Sequence, residues 1–267
     1  MRNQAEIIAM LHVPALPGTP RNTLPMPKIL QHVLKDVEVA RVAGVDGVLV
    51  ENMHDRPFLN RRVGPEIVAA MTVVTRAVVQ AFPKSVGVQI LAGANQEALA
   101  VALAAGAHFI RVEGFVYGHV ADEGWMESDA GDLLRARKSW GAEQIRILAD
   151  VKKKHAAHAA TGDVSLADTV RAAQFFHADG VVVTGSATGQ PTAPDEVSEA
   201  AKASPLPVWV GSGVDIENVS SYLPMASGLI VGSSAKRGND CTAPLDRIRL
   251  QALVRAVRAS SAGRKRP

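Results

Sequence analysis

Two carboxylates stand directly after short apolar runs, in positions from which they could carry out chemistry. Glu51 follows the run Gly47–Val50, and Asp150 follows Ile145–Ala149. Carboxylates that converge in a pocket of low dielectric either raise the pKa of one of them or require a cation. The pair therefore suits acid–base chemistry or a bound divalent cation. The alternative is that each carboxylate pairs with a neighbouring Lys or Arg.

Basic side chains follow the second carboxylate. Asp150 and Lys152 are two residues apart, so an extended strand would place both side chains on the same side. A lysine near a carboxylate can donate a proton, or it can bind a phosphate or an enolate. Lys154 and His155 come next, although the stretch that holds this histidine could also be a solvent-facing loop. We predict four catalytic residues: Glu51, Asp150, Lys154 and His155.

Other polar residues lie in or just after apolar runs that are otherwise free of polar side chains. We predict that these residues bind substrate: His12, Asn52, Gln89, Arg111, Glu113, Lys152 and Thr184. One such residue alone would be a cap or a satisfied structural group, but a set spread over most of the runs favours a pocket. Arg111 and Glu113 would share one strand face. An internal ion pair is therefore the alternative to an arginine that faces a substrate carboxylate or phosphate.

Two apolar runs near the C-terminus each end in a turn of small residues and lead into a predicted helix. Turns of this kind expose backbone N–H groups, and a helix N-terminus adds positive potential, so the combination suits an anion. The loops after strands seven and eight of a (β/α)8 barrel commonly bind phosphate. We therefore predict a phosphate site at Gly211, Ser212, Gly213, Gly232, Ser233 and Ser234.

Apolar runs with strand character alternate with segments of helical periodicity along the whole chain. The predicted strands are Ile7–Leu11, Gly47–Val50, Val86–Leu91, His108–Val112, Ile145–Ala149, Gly180–Thr184, Pro207–Val210 and Gly228–Val231. The predicted helices are Ile29–Ala43, Pro65–Phe82, Gln96–Ala105, Asp129–Trp140, Ser165–Phe176, Asp195–Ala203, a short one near Asp215–Tyr222, and Leu245–Val257. Start signals for the helices are expected at Ser165, Asp215 and Thr242.

Strands that alternate with helices predict a parallel sheet, and eight such units predict closure into a barrel. We expect a single (β/α)8 TIM barrel over residues 1–258 and a basic, disordered tail at 259–267. A doubly wound open sheet is the alternative fold. It would usually carry a Gly-rich fingerprint after its first strand, where this chain has the Pro-rich stretch Leu11–Gly18.

Composition narrows the class of protein. The formal charge is only +3 and no concentrated basic face is evident, which argues against a nucleic-acid partner. The single cysteine, Cys241, excludes an internal disulfide and a Cys-rich metal cluster. No apolar segment has the length of a membrane span, and a strand is expected from Ile7 onward, which leaves no room for a leader peptide. We therefore expect a cytoplasmic protein.

Motifs spread along the chain resemble the BtpA/SgcQ family in order, from about Ile7 to Arg249. They include Leu11–Pro20, Asp46–Asn52, Phe109–Val112, Val183–Gly189, Gly211–Val214 and Ile230–Ser233. The resemblance implies a TIM barrel of the ribulose-phosphate-binding type and a dimer or larger assembly. Many members carry Leu-Arg-Asn-Asp after strand three, where this chain has Leu91–Ala94. Gln89–Asn95 and Glu113–Val116 look more like the family branch that includes animal members.

Two functions of different classes follow. The first is an enzyme that acts on a sugar phosphate or a nucleotide-like phosphate by isomerase, aldolase or lyase chemistry, with a divalent metal left open. The second is a non-catalytic assembly or regulatory factor, because one family member is linked to photosystem I accumulation in cyanobacteria. The density of polar groups at strand ends favours the enzyme, since a scaffold need not bury them. The altered segment after strand three argues against a photosystem role.

Overall fold

Eight parallel strands close into a barrel in the computed structural model, which describes residues 4–153, 155–185 and 190–262. The barrel strands are β1 (Glu6–His12), β2 (Gly47–Glu51), β3 (Ser85–Gln89), β4 (Phe109–Val112), β7 (Arg146–Val151), β9 (Gly180–Val183), β10 (Val208–Val210) and β11 (Gly228–Val231). They pair in chain order, and β11 returns to β1 to close the sheet. The predicted single TIM barrel is therefore confirmed, and each predicted strand overlaps a barrel strand.

Helices follow the barrel strands and surround them. They are α1 (Met26–Ala43), α2 (Pro65–Ala81), α3 (Asn95–Ala105), α4 (Ala130–Ser139), α5 (Leu166–Phe175), α6 (Pro194–Ala203), α7 (Val219–Tyr222) and α8 (Arg247–Ala262). The last helix continues four residues past the boundary that we predicted at residue 258. Residues 263–267 of the predicted tail lie outside the described part of the chain. No helix within the described ranges has the length and apolar character that crossing a membrane requires.

Of the three expected helix starts, one is confirmed and two need correction. Ser165 forms a capping box with Asp168 before α5, as the sequence indicates. The prediction of Asp215 as a start signal is wrong, because α7 begins only at Val219, after Asn218. The prediction of Thr242 as the start signal of α8 is also wrong. Asp246 does this work, because its Oδ1 accepts from the backbone N–H groups of Ile248 and Arg249.

The core has two layers. One fills the space between strands and helices. The other fills the barrel interior and consists of Ile8, Met10, Leu49, Phe109, Leu148, Val182, Trp209 and Ile230. Two glycines make room for its aromatic rings, since a Cβ at Gly87 would lie 2.2 Å from the Phe109 ring and one at Gly228 would lie 2.1 Å from the Trp209 ring. The packed interior fills the barrel, and the cavity opens at its C-terminal face.

A second, small sheet covers one side of that face. It contains β5 (His119–Ala121), β6 (Gly124–Met126) and β8 (Ala156–Ala157), in the order β6–β5–β8. The first two strands come from the loop after β4, and the third comes from the loop after β7. The sequence indicated only long loops here. The sheet joins these loops and places its turn residues Asp122 and Glu123 at the barrel mouth.

Candidate functional site

A cavity of about 930 Å³ opens at the C-terminal ends of the barrel strands. Strand register builds its floor, because His12 pairs with Glu51 across β1 and β2, and Glu51 pairs with Gln89 across β2 and β3. The predicted residues that line the cavity are His12, Glu51, Gln89, Arg111, Glu113, His155 and all six residues of the two Gly-Ser turns. The fold therefore brings most of the predicted site residues to one place.

Arg111 and Asp150 form a buried, two-pronged ion pair at the edge of the floor. Arg111 donates from Nε to one Asp150 oxygen at 2.8 Å and from a terminal nitrogen to the other at 2.9 Å. Their side chains are 4% and 1% exposed. Although burial opposes the charge, the pKa of Arg111 is raised by Asp150 and, to a lesser extent, by Glu51 and Glu113. The pairing that we considered between Arg111 and Glu113 is replaced by the one between Arg111 and Asp150.

Glu113 has a different cationic partner. The Nζ of Lys153 donates to Glu113 Oε2 at 3.1 Å, and both residues are buried. On the other side, the amide nitrogen of Gln89 donates to Glu113 Oε1 at 3.4 Å. This leaves the amide oxygen of Gln89 buried with no hydrogen-bond partner among the described residues. A buried acceptor without a donor is costly, so this oxygen is a candidate ligand contact.

A lysine that the sequence did not single out lies behind His12, outside the lining of the cavity. Lys236 is only 1% exposed; its Nζ lies 2.9 Å from the Nδ1 of His12 and donates to the carbonyl oxygen of Cys241, also at 2.9 Å. The opposite ring nitrogen of His12 lies 3.5 Å from Glu51 Oε2. The side chains of Lys236, His12 and Glu51 thus stand in a row that leads into the cavity. Cys241 joins this cluster through its backbone.

Several predicted residues stand elsewhere. Asn52 accepts from the N–H of Leu91 and donates to Asp55, so it joins two loops. Lys152 adopts a φ of 47° and donates to the carbonyl of Val164. Neither of these lines the cavity, and neither do Asp150 and Thr184. Lys154 lies outside the described residues, and Lys153 supplies the cationic group at this end of β7.

The two Gly-Ser turns line the same cavity, and the carboxylates Asp215, Glu217 and Asp240 follow them closely in the sequence. Gly211 is buried, and a Cβ there would lie 2.6 Å from Val182 and 3.4 Å from the Arg111 guanidinium. Gly213 has a φ of 61°, in the left-handed region that glycine favours. The second turn leads into a single 3₁₀ turn, Ser233–Ala235. The Nε of Arg249 donates to the Ser234 carbonyl at 2.9 Å and brings a cation beside this turn.

One arginine holds three of the loops around the mouth. Arg61, in the loop after β2, donates to the carbonyls of Gly93 at 3.2 Å and Gly114 at 2.7 Å. It also pairs with Asp129 at 2.7 Å. The loops after β2, β3 and β4 are therefore tied to one another by a single side chain. The mouth is thus a fixed frame on this side.

His119 is the first residue of β5 in the small sheet and does not line the main cavity. Its ring is 5.5 Å from that of His158, and both residues border a pocket of only about 20 Å³. Burial, followed by the positive charge of Lys153, lowers the pKa of His119 to about 4. The ring is therefore neutral at physiological pH, and its buried surroundings suit a structural role. Trp125, on the same sheet, is exposed.

The charge balance of the cavity favours ligands that present donors. Among the described residues, its lining includes seven carboxylates, Glu51, Glu113, Asp122, Glu123, Asp215, Glu217 and Asp240, against four basic groups, Arg56, Arg111, Lys153 and Arg249. Within that part of the chain, no three His, Cys, Asp or Glu side chains converge as they would around a metal ion.

The fold and the cavity define a (β/α)8 barrel with a ligand site at its C-terminal face. The chain belongs to the BtpA family, whose model matches residues 3–259. It is 48% identical to the uncharacterized mitochondrial protein F13E9.13 of Caenorhabditis elegans, over 94% of this chain and 92% of that one. It is 34% identical to the photosystem I biogenesis protein BtpA of Synechocystis, over 94% of this chain and 87% of that one.

A solved structure with similar architecture supports the fold. The thiamine phosphate pyrophosphorylase of Pyrococcus furiosus superposes with a TM-score of 0.60 over 97% of this chain and 98% of its own. The two sequences are 14% identical, so the likeness concerns the barrel alone.

Proposed function

We propose that this protein is an enzyme that acts on a phosphorylated small molecule, either a sugar phosphate or a nucleotide-like phosphate. The observation that carries the proposal is that two chemically different sets of groups line one cavity. One set consists of the two Gly-Ser turns with Arg249 beside them, and the other consists of buried carboxylates with cationic partners. A scaffold has no need of such buried charges, whose desolvation costs free energy.

The phosphate end would lie at the turns Gly211–Gly213 and Gly232–Ser234. They follow the seventh and eighth barrel strands, the position at which barrels commonly bind phosphate. Arg249 is the basic side chain beside them. The thiamine phosphate pyrophosphorylase noted above, which has the same fold, is named for a phosphorylated compound, and this agrees with the assignment by analogy of fold.

The opposite end would hold the part of the ligand that carries hydrogen-bond donors. The amide oxygen of Gln89 awaits a donor, and the carboxylates of Glu51 and Glu113 border the same cavity. The hydroxyl groups of a sugar can donate hydrogen bonds to these acceptors, whereas the carboxylates would repel a second phosphate. A sugar phosphate bound with its phosphate at the turns would place its hydroxyl groups near these acceptors.

Glu51 is the proposed general base or acid, with His12 beside it. Glu51 lines the cavity and could take a proton from a ligand carbon or hydroxyl. His12 lies 3.5 Å away and would stabilise the Glu51 side chain during the transfer. Lys153 would stabilise a developing oxyanion at the Glu113 side. Proton transfer of this kind serves isomerases, aldolases and lyases alike. Asp150 would position Arg111, because both of its oxygens are taken by that guanidinium.

A non-catalytic assembly or regulatory role is the second candidate. It is favoured by the name of the Synechocystis relative, a photosystem I biogenesis protein, which aligns over most of both chains. In that case the cavity would bind a ligand without converting it. The cytoplasmic location and a homo-oligomeric assembly stay predictions, and the worm relative is named as mitochondrial.

Thermal-shift measurements test the phosphate site directly. The ligands would be inorganic phosphate, ribose 5-phosphate, ribulose 5-phosphate, a nucleoside 5′-monophosphate and the matching unphosphorylated sugars, each with and without Mg²⁺. We expect at least one phosphorylated ligand to raise the Tm, and its unphosphorylated counterpart to have little effect.

Ser233→Asp is the informative variant, because this half-buried residue lines the cavity at the second turn. The added carboxylate should repel the phosphate and remove the shift. Ser220→Asp is the matched control, since Ser220 is exposed on α7 away from the cavity. No stabilisation by any phosphorylated ligand, or equal stabilisation of both variants, would refute the proposal.

A further inference from the structure

Lys236 stands behind His12 and is shielded from the cavity. It follows the 3₁₀ turn Ser233–Ala235, is 1% exposed, and does not border the open space. Its Nζ lies 2.9 Å from the Nδ1 of His12 and 2.9 Å from the carbonyl oxygen of Cys241. The same Nδ1 also lies 2.9 Å from that carbonyl. Three polar atoms thus form a nearly equilateral triangle in which protons must be shared out.

When Lys236 is charged, a neutral His12 can carry its proton on only one of its ring nitrogens. An ammonium group has donors and no acceptor, so Nδ1 must accept from it. The single imidazole proton then lies on Nε2, which faces Glu51 at 3.5 Å. The opposite tautomer would place a proton on Nδ1 against the ammonium and turn the Nε2 lone pair toward the carboxylate. It would therefore require a neutral lysine and a protonated Glu51.

The charges around the triangle decide which sharing holds. The pKa of Lys236 is lowered, with burial as the largest cause, although the acidic groups around it act in the opposite direction: Asp36 on α1, Cys241, Glu51 on β2, and Asp240. The carbonyl oxygen of Cys241 adds an acceptor for a second ammonium proton. His54 is the other titratable ring near His12, at 6.2 Å between centroids, and burial lowers its pKa. Acceptors surround Lys236, so the ammonium form fits the site.

We propose that Lys236 is a positioning residue that holds His12 as the neutral tautomer protonated at Nε2, with its N–H directed toward Glu51. A fixed donor beside Glu51 keeps the carboxylate ionised and ready to accept a proton from a ligand. The importance of Glu51 in turnover rests on the proposed function. The tautomer itself needs no substrate, so the two claims can fail separately.

Long-range ¹H–¹⁵N correlation spectra of uniformly labelled protein at pH 7.5 report the tautomer of each histidine. The spectrum of His12→Gln would assign the His12 signals. We expect a protonated Nε2 and an unprotonated Nδ1 for His12 in the wild type. A protonated Nδ1, whether in the other neutral tautomer or in an imidazolium, would overturn the proposal whatever ligand the cavity binds.

Two substitutions of Lys236 separate charge from packing. Lys236→Arg keeps a permanent donor beside Nδ1, so His12 should retain the Nε2–H tautomer. Lys236→Met removes the cation but keeps an unbranched side chain, and Nδ1 is then free to donate to the Cys241 carbonyl at 2.9 Å. With acceptors at both nitrogens and no neighbouring ammonium, the pKa of His12 should rise by about one unit or more.

An unchanged His12 pKa and tautomer in Lys236→Met would contradict the proposal. If a variant does not fold, the wild-type spectrum still decides. A ligand panel without any stabilising phosphate would refute the proposed function and leave the tautomer standing. A His12 protonated at Nδ1 in a protein that binds phosphate would refute the tautomer proposal and leave the proposed function standing.

Discussion

Asp150→Asn removes the charge from one partner of the buried pair and leaves the Arg111 guanidinium in place. Both Asp150 oxygens accept from Arg111, at 2.8 and 2.9 Å, and neither side chain has more than 4% exposure. An asparagine can offer one acceptor oxygen, but its NH₂ group would then face a guanidinium donor. The substitution therefore leaves a buried cation that is only half satisfied.

The magnitude follows from what remains around Arg111. Breaking a buried ion pair by removing one partner typically costs about 3–5 kcal/mol of unfolding free energy. Glu51 and Glu113 also support the charge of Arg111, so we expect the lower part of that range, about 3–4 kcal/mol. For a domain of this size, that is a drop in Tm of roughly 6–16 °C.

Urea unfolding at pH 7.5, followed by circular dichroism, would measure the loss. Glu143→Gln is the control, because it breaks the exposed pair with Lys138 and should leave the midpoint unchanged. The double variant Arg111→Met/Asp150→Leu should recover much of the stability, since it leaves no unpaired charge. An Asp150→Asn protein as stable as the wild type would refute this account of the pair and return Asp150 to the catalytic candidates.

Three further predictions concern stability. His119 has its pKa lowered to about 4, so its neutral form stabilises the fold above its unfolded pKa near 6.5 and this contribution is lost as the pH falls. His119→Phe should therefore remove about 2–3 kcal/mol of the decrease in unfolding free energy between pH 7 and pH 4.5, and an identical decrease in both proteins would contradict the assignment. Gly213→Ala should destabilise more than Gly44→Ala in urea titrations, because both have a positive φ but only at Gly213 would the Cβ lie 2.3 Å from a backbone atom, the nitrogen of Pro191; equal losses would rule out the overlap. Ser165→Ala should cost about 1 kcal/mol in the same titration by removing the capping box, and Ser165→Asp, which can still cap, should restore most of it.

The barrel was predictable because its signals are local. Parallel strands buried on both faces form continuous apolar runs, and each predicted run coincides with a strand of the closed sheet. The small sheet over the mouth was missed because its strands have two or three residues each. Segments so short carry no measurable periodicity. Their pairing depends on loops that the barrel brings together.

The cationic groups of the site were less predictable, for two physical reasons. Strand alternation predicted that Lys152 lies on the same side as Asp150, but the lysine that lines the cavity is Lys153, which donates to Glu113. The alternation ends there, because β7 stops at Val151 and Lys152 turns to a φ of 47°. Lys236 meets His12 only because β11 closes the barrel against β1, and no local pattern indicates that contact.

The predicted carboxylates were placed correctly at strand ends, but the sequence did not determine which groups they would contact. Glu51 reaches the cavity, whereas Asp150 is taken by Arg111. Both possibilities were visible in the sequence as carboxylates with basic residues nearby. Only the register of the strands, which sets the distances between them, separates a group that faces ligand from one that holds a neighbour.

The central claim is that one cavity binds phosphate at the Gly-Ser turns and ligand donor groups at Glu51, Gln89 and Glu113. A crystal structure with the phosphorylated sugar that stabilises the protein most would test it most directly. We expect the phosphate within hydrogen-bond distance of Gly213 and Ser233, and a ligand hydroxyl on the amide oxygen of Gln89. A phosphate bound outside the barrel mouth, or a ligand with its phosphate against Glu51, would contradict the account.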